Sequence, residues 1–275
     1  MQNLFNYISR KSPIHDLTGA TKLVCTVLWT FATMITYDTR ILIALPVIAF
    51  ILFGISKIRL KDMSFMIGFT LVFMVLNNLL VFLFSPEHGV DLYGTCHEIM
   101  PLWGGKALTL EQLWYHLNLV LKYMSSIPII LLFVCTTQPS EFAASLNRIG
   151  VRYSIAYSVS LALRYIPDIQ KEFSDISKAQ QARGIEMSRK VSLINRLKSA
   201  SSILVPLIIM SMDRIETISN AMELRGFGKN KKRTWYMARP FTRWDIISMI
   251  FCAGLLVLSI VSNVSRGTRF WSPWM

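Results

Sequence analysis

Long apolar stretches separated by short polar ones make up most of this chain. They lie at residues 23–36, 41–55, 63–84, 117–135 and 244–264. A straight helical span of a bilayer needs about 20 apolar residues, and the first two stretches are shorter than this. We interpret them as two spans that are extended by their flanking residues, which predicts about five spans in total. A helical hairpin that enters and leaves on one side is the alternative for the first two stretches.

Between the fourth and fifth apolar stretches the pattern becomes amphipathic. A short helix with apolar positions three to four residues apart is predicted from Ser140 to Gly150. Two longer helices are predicted after it, one starting at Pro167 and running to Arg183, the other following Pro206 and running to Arg225. Proline is favourable in the first turn of a helix, because its missing N–H has no helical partner there.

Composition supports a membrane protein. The 275 residues are 53% hydrophobic with a mean hydropathy of +0.44, which is too apolar for a soluble domain of this size. The fold class we predict is an all-α integral membrane protein with a helical coupling region. Residues 1–137 form an N-terminal membrane region, residues 138–243 a basic cytoplasmic region, and residues 244–275 a final span with its tail. The first seven residues lack the features of a cleavable signal peptide.

Charge predicts the orientation of the chain in the membrane. Residues 56–61 form a short basic loop, which is typical of the cytoplasmic side, whereas the acidic loop at 85–116 is expected outside. Residues 138–243 hold 18 Lys and Arg against 8 Asp and Glu, a net +10 of the chain's +13. This region and the N-terminus are therefore expected in the cytoplasm. Attraction to anionic lipid explains the sign of the charge, and no nucleic-acid-binding motif is present.

One pattern of nine residues occurs twice in the basic region. Residues 176–184 read I-S-K-A-Q-Q-A-R-G and residues 218–226 read I-S-N-A-M-E-L-R-G, so that Arg183 and Arg225 are 42 residues apart. Glycine adopts positive φ readily, and each copy is therefore predicted to be the C-terminal end of a helix. The planar donor fork of arginine suits carboxylates. Two such ends favour docking to a two-part partner over simple helix capping or close packing.

Other candidate sites carry little chemistry. Neither Gly104-Gly105-Lys106 nor Gly226-Phe227-Gly228-Lys229 has the spacing of a nucleotide-binding loop, so the chain is not expected to bind ATP. The outer loop holds a loose group of potential metal ligands whose spacing matches no standard site: His88, Asp91, Cys96, His97 and Glu98. The four cysteines are interpreted as small buried hydrophobes.

Polar residues inside the spans are few. Asn77-Asn78 is expected to bond between helices, with a substrate path as the lesser alternative, and Lys122 is expected to extend its amine toward the membrane surface. An autonomous channel or secondary carrier would need more ionisable groups at mid-membrane. An intramembrane enzyme would need a catalytic constellation at a common depth, and the spans contain none. We therefore favour a coupling subunit of a transporter over both.

The basic region resembles a known family, the transmembrane T component of energy-coupling factor (ECF) transporters, of the EcfT or CbiQ kind. The matching residues are R-Y-I-P-D-I at 164–169, Glu172, A-Q-Q-A-R-G at 179–184 and A-M-E-L-R-G-F-G at 221–228. Weaker similarity is found over residues 16–23, before the first span. The specific part covers roughly residues 160–235, and the layout of spans around a basic middle also fits.

The resemblance implies partners and roles. Family members join two cytoplasmic ABC-type ATPases to a small membrane substrate-binding S component in a prokaryotic cell membrane. The chain itself is implied to be non-catalytic and to bind no cofactor, with ATP and Mg on the ATPases. The transported vitamin or other micronutrient is set by the S component.

Site residues carry over by position. The residues that the resemblance implies for ATPase docking are Ala182, Arg183, Gly184, Leu224, Arg225 and Gly226. Those that it implies for support of the coupling helices are Arg164, Pro167, Asp168, Glu172 and Glu223. Leu224 stands where the family pattern has Ala, which puts the detail of the docking groove in question rather than docking itself.

Overall fold

The chain folds into ten helices and one small hairpin in the part that the structure describes. This computed structural model describes residues 12–59, 64–101, 107–184, 193–229, 234–235, 239–266 and 270–271. The elements are α1 (Pro13–Asp16), α2 (Gly19–Ile35), α3 (Thr39–Ile55), α4 (Ser64–Phe84), α5 (His88–Tyr93), β1 (Glu98–Pro101), β2 (Ala107–Thr109), α6 (Leu110–Thr136), α7 (Pro139–Arg148), α8 (Tyr153–Ala182), α9 (Leu193–Leu224) and α10 (Arg243–Arg266). The predicted all-α class is confirmed.

The helices form two compact units. Residues 1–138 and 239–275 make the first, and residues 139–238 make the second. The sequence-based division assigns residues 1–137 and 244–275 to the membrane and residues 138–243 to the cytoplasm. This assignment stays a prediction. The N-terminal residues 1–11, Gly104-Gly105-Lys106 and residues 186–190 lie outside the described residues.

Three helices of the first unit are long and apolar enough to cross a membrane: α4, α6 and α10. The apolar helices α2 and α3 have 17 residues each, at the lower end of the usual span length. No residue of α4 is buried, and its exposed apolar side chains point to lipid as its surroundings. The five-span count stays a prediction.

Helix α6 is the centre of the first unit. Helix α2 packs against α6 in the antiparallel direction. The indole N–H of Trp29 donates to Ser125 Oγ at 3.0 Å, and Thr33 bonds to Ser126 at 2.9 Å. The next helix along the chain, α3, runs parallel to α6, and Thr39 donates to Asn118 there at 2.8 Å. Small residues with hydroxyl groups let the helices approach closely, and their hydroxyl groups form hydrogen bonds between the helices.

The asparagine pair in α4 bonds to α6, as the sequence predicts. Tyr123 donates to Asn77 Oδ1 at 3.1 Å, and Asn78 Oδ1 bonds to His116 at 3.0 Å. These polar groups therefore hold two spans together, which accounts for them without a substrate path.

Two buried lysines cap the ends of neighbouring helices. Lys22 of α2 donates to the carbonyl of Thr136 at the end of α6, at 3.0 Å. Lys122 of α6 donates to the carbonyl of Met34 near the end of α2, at 3.1 Å, and its amine lies 3.2 Å from the ring centroid of Tyr37. The expectation that Lys122 extends toward the membrane surface was wrong. The free carbonyls at a helix C-terminus attract a cation, and antiparallel packing brings each lysine to one.

The turn between α2 and α3 is covered by protein. Phe270 lies 4.7 Å from Tyr37 and 5.8 Å from Tyr93, measured between ring centroids. Asn118 donates to the hydroxyl of Tyr93 at 3.1 Å. Burial raises the pKa of Tyr93 to about 12, so its hydroxyl stays neutral. Irregular backbone near a membrane is tolerated where protein groups cover it, and these contacts supply that cover.

The second unit contains α7 and two helices that are longer than predicted. The predicted short helix is confirmed as α7, and Gly150 follows it with φ 107°. Pro167 and Pro206 do not start the two long helices but lie inside α8 and α9. An internal proline costs about 3 kcal/mol, and good helix-forming residues on both sides with packing along the helix outweigh it here. The segment at 153–165 is therefore the first half of α8.

Candidate docking ends of two helices

The first Arg-Gly pair forms the C-terminal end of α8. Arg183 caps the helix, with its backbone N–H 3.1 Å from the carbonyl of Gln180. Gly184 follows with φ 86°, and its N–H bonds to the carbonyl of Gln181 at 3.0 Å. Ala182, Arg183 and Gly184 are all exposed. The end therefore presents an arginine on an exposed turn that only glycine adopts without strain.

The second Arg-Gly pair closes α9 in the same way and adds one more bond. Gly226 has φ 66°, and its N–H bonds to the carbonyl of Glu223 at 2.8 Å. The N–H of Phe227 bonds to the carbonyl of Met222 at 2.9 Å. This pair of bonds is the Schellman motif. Arg225 is exposed at its tip.

An aromatic cluster holds the second end against the start of α8. It consists of Tyr153, Tyr157, Phe227 and Trp235, and Phe227 lies 5.8 Å from Tyr153 and 4.9 Å from Tyr157. Trp235 lies 5.3 Å from Tyr153, and its indole N–H donates to Asn147 of α7 at 3.0 Å. Aromatic pairs at such distances stabilise beyond the area that they bury. The residue after Gly226 is thus packed in place.

The contacts between α8 and α9 show that the two helices are antiparallel. Gln180, near the end of α8, donates to the carbonyl of Ser202 in the first half of α9 at 3.3 Å. Phe227, just after α9, packs on Tyr157 near the start of α8. The two Arg-Gly ends therefore lie at opposite ends of the helix pair. At 1.5 Å per residue, the 26 residues from 157 to 183 place them about 40 Å apart along α8.

An ion pair joins the two helices between these ends. Arg214 of α9 binds the carboxylate of Glu172, and its guanidinium lies 5.6 Å from the ring centroid of Tyr165. The other carboxylate oxygen of Glu172 is buried without a hydrogen-bond partner in the described part of the chain. Glu172 and Arg214 are 42 residues apart, as are Arg183 and Arg225. The pair thus links two residues that each lie four positions before a copy of the repeated pattern.

Comparison with known proteins identifies a family and relatives for this chain. Residues 10–236 match the CbiQ family, described as a cobalt transport protein. The chain is 28% identical to the energy-coupling factor transporter transmembrane protein EcfT of Limosilactobacillus fermentum, over 95% of this chain and 96% of that protein. Identity is 26% to the EcfT protein of Staphylococcus aureus and 30% to that of Thermosediminibacter oceani, each over 94% of this chain and 96% of the relative.

The chain belongs to the CbiQ family. It is a multi-pass prokaryotic membrane protein and the transmembrane component of an energy-coupling factor transporter.

The remaining predicted residues of this ECF component lie on the surface of the helix pair. Arg164, Pro167 and Asp168 are exposed on α8, and Glu223 is exposed in the last turn of α9. Among the supporting residues, Glu172 makes the ion pair with Arg214 between the two helices. Leu224 is 90% exposed, so an apolar side chain stands beside Arg225 at the second end.

The outer loop does not assemble a metal site from the described residues. His97 bonds to Glu111 at 2.6 Å, and Thr95 donates to the same carboxylate at 2.9 Å. Within the described ranges no three His, Cys, Asp or Glu residues come close enough to hold a metal ion. Sequence reasoning missed the partner of His97, because Glu111 lies in the first turn of α6 rather than in the loop.

Proposed function

We propose that this chain joins two cytoplasmic ABC-type ATPases to a small membrane S component that captures a vitamin or another micronutrient. The chain is a non-catalytic coupling subunit in this account. The ATPases bind ATP and Mg, and the S component selects the substrate. Residues 138–243 lie in the cytoplasm, where the ATPases reach them.

One observation carries the proposal: two matching Arg-Gly ends lie at opposite ends of one antiparallel helix pair, about 40 Å apart along α8. One partner cannot surround both tips at that separation without being very large, whereas two side-by-side subunits can take one tip each. An arginine at the bottom of a partner's groove commonly contributes 2 kcal/mol or more to binding, on the order of a hot spot. The names of the relatives support the transport role.

The helix pair then acts as the moving part. ATP binding draws the two ATPases together, and hydrolysis lets them separate. Each tip follows its own ATPase, so the angle between α8 and α9 changes about their contact at Glu172 and Arg214. This motion reorients the S component in the bilayer. A coupling of this kind requires that the two states of the helix pair differ in their contacts with the ATPases.

A pull-down from native membranes tests the docking step. Tagged wild-type chain is compared with Arg183→Glu, Arg225→Glu and the double variant. Lys171→Glu is the matched control, because it makes the same charge change at an exposed position of α8. We expect each single variant to weaken capture of an ATPase, the double variant to lose both ATPases and substrate uptake, and the control to behave as wild type. Equal capture by all variants contradicts the proposal, and no ATPase with the wild type favours a free-standing carrier.

A nucleotide-binding assay tests the non-catalytic role separately. The purified chain, free of ATPases, is expected to show no saturable ATP binding by equilibrium dialysis. Saturable binding that survives both arginine substitutions would place a nucleotide site on this chain and contradict the proposed division of labour.

A further inference from the structure

Two cysteines from distant parts of the sequence meet between α2 and α10. The backbone N–H of Thr18 donates to Asp245 Oδ1 at 2.9 Å, across 227 residues, at the start of both helices. Cys25 and Cys252 are separated by the same number of residues, 252 − 25 = 227. In these parallel helices they therefore lie at one level, about two turns from the Asp245 contact. Both side chains line one cavity between the helices.

The two cysteines border a cavity that a buried lysine also lines. The cavity has a volume of about 120 Å³, and its lining includes Cys25, Cys252 and Lys22. Cys252 is buried in an apolar cluster that includes Trp29 and Leu45, and Cys25 packs against this cluster. Lys22 is buried too and precedes Cys25 by one helical turn. Most of the cavity lining is apolar, and apolar surroundings strengthen the attraction between Lys22 and any anion formed there.

The number and type of ligands select the kind of metal. Two sulfur ligands without a third His, Cys, Asp or Glu among the described residues do not make the four-coordinate site that zinc requires. Thiolates select soft ions such as Cu(I), and a monovalent soft ion can bind to two sulfurs in a line. Binding replaces both S–H protons: one metal cation and two thiols give an anionic bis-thiolate complex and two protons, which pass to the buffer. Lys22 balances the single negative charge of that complex.

We propose that Cys25 and Cys252 form a two-coordinate site for a soft monovalent metal ion, Cu(I) or Ag(I), with Lys22 as the neighbouring counter-charge. The bound ion ties α2 to α10.

Titration with Cu(I) tests the site. The full chain is purified in lipid nanodiscs under reducing conditions with Cys96→Ser and Cys135→Ser, which leaves only the proposed pair of thiols. Cu(I) is supplied by a coloured competing chelator. We expect one Cu(I) per chain with release of about two protons, and a loss of affinity of about 100-fold or more on adding Cys25→Ser or Cys252→Ser. Binding that is absent in the two-thiol chain, or unchanged by either substitution, overturns the proposal.

A second measurement on the wild-type chain keeps the test valid if a variant does not fold. Ag(I) is added, the chain is denatured in the presence of an alkylating agent, and modified cysteines are identified by mass spectrometry. Protection of Cys25 and Cys252, with Cys96 and Cys135 modified, supports the site. Equal modification of all four cysteines contradicts it. Neither measurement involves the ATPases, so failure here leaves the proposed coupling function untouched.

Discussion

The two Arg-Gly ends have the same local fold but different surroundings. At the second end, Phe227 follows the turn and packs into the aromatic cluster with Tyr153 and Trp235. At the first end, Gln180 of α8 donates to the carbonyl of Ser202 of α9 at 3.3 Å. The comparison shows that one repeated sequence pattern specifies the shape of a helix end, and that Phe227 and Trp235, outside the repeat, add aromatic packing at the second end.

The packing at the second end has a consequence for the coupling mechanism that we propose. A tip that is packed against its own unit transmits motion directly to the helices that hold it. The exposed Leu224 also gives the second end more apolar surface than Ala182 gives the first. Two non-identical ATPases would fit two unequal ends.

Removal of Trp235 is expected to have the largest effect. Trp235→Ala should lower the free energy of unfolding of the second unit by about 2–3 kcal/mol. This is near the lower limit for replacing a large apolar side chain by alanine, because Trp235 is only half-buried. Amide exchange should rise over residues 222–227 and stay unchanged over 179–184, as measured by mass spectrometry. Trp244→Ala is the control, because Trp244 is 72% exposed. Equal increases at both ends would show that the cluster does not distinguish them.

Loss of the central ion pair should come next. Arg214→Met leaves the half-buried Glu172 without its partner, so we expect a loss of about 1–2 kcal/mol in the free energy of unfolding. Glu172→Gln in the same chain should restore part of it, because the uncompensated charge is then gone. A double-mutant cycle, measured by denaturant titration, gives the interaction free energy between Arg214 and Glu172. Arg164→Met, at an exposed position of α8, should change little. Strictly additive effects would argue against the pair as the link between α8 and α9.

An exchange of side chains at the tips sharpens the comparison. If Leu224 enters a groove on one ATPase, Leu224→Ala should weaken that ATPase's binding by about 10-fold, in line with the loss of a buried apolar side chain. Ala182→Leu should alter binding at the first end only. Thermal stability should not change in either variant, since both positions are exposed. Surface plasmon resonance with the purified ATPases measures the change in affinity. Unchanged affinity in both variants would show that Leu224 does not contribute to docking.

Substitution of the glycines should have the smallest effect, and an equal one at both ends. Gly184→Ala and Gly226→Ala each place a side chain at positive φ, which costs about 1 kcal/mol. Among the residues that the structure describes, no atom lies within 4 Å of a Cβ at Gly184, and the nearest at Gly226 is Lys229 Cδ at 3.4 Å. Strain therefore comes from the backbone alone. Gly68→Ala, inside α4 with open space around it, should stabilise slightly. Markedly unequal costs at the two ends would contradict equivalent turns.

Sequence patterns predicted the helix ends well because their determinants are local. A glycine that follows a capping residue needs only its own backbone freedom, and both Gly184 and Gly226 have the expected positive φ. The same local reasoning was wrong for Pro167 and Pro206, because packing and helix propensity over 30 residues or more outweighed one missing bond. Local signals could not have located those two helix starts.

The partners in contacts between distant residues could not be predicted. The opposite positions of the two Arg-Gly ends depend on the antiparallel packing of α8 and α9. The burial of Lys122 and the meeting of Cys25 with Cys252 depend on how α2 lies against α6 and α10. In a single sequence no local pattern encodes such a pairing.

Cross-linking from both tips of one chain tests the central claim most directly. Ala182→Cys and Leu224→Cys are introduced together into a chain with its own cysteines replaced by serine, and the assembled transporter is treated with a short bifunctional reagent. We predict a product in which one chain carries two ATPases, and a product with one ATPase from each single-cysteine chain. A doubly substituted chain that never carries more than one ATPase, or tips that link to each other, would contradict two docking ends about 40 Å apart.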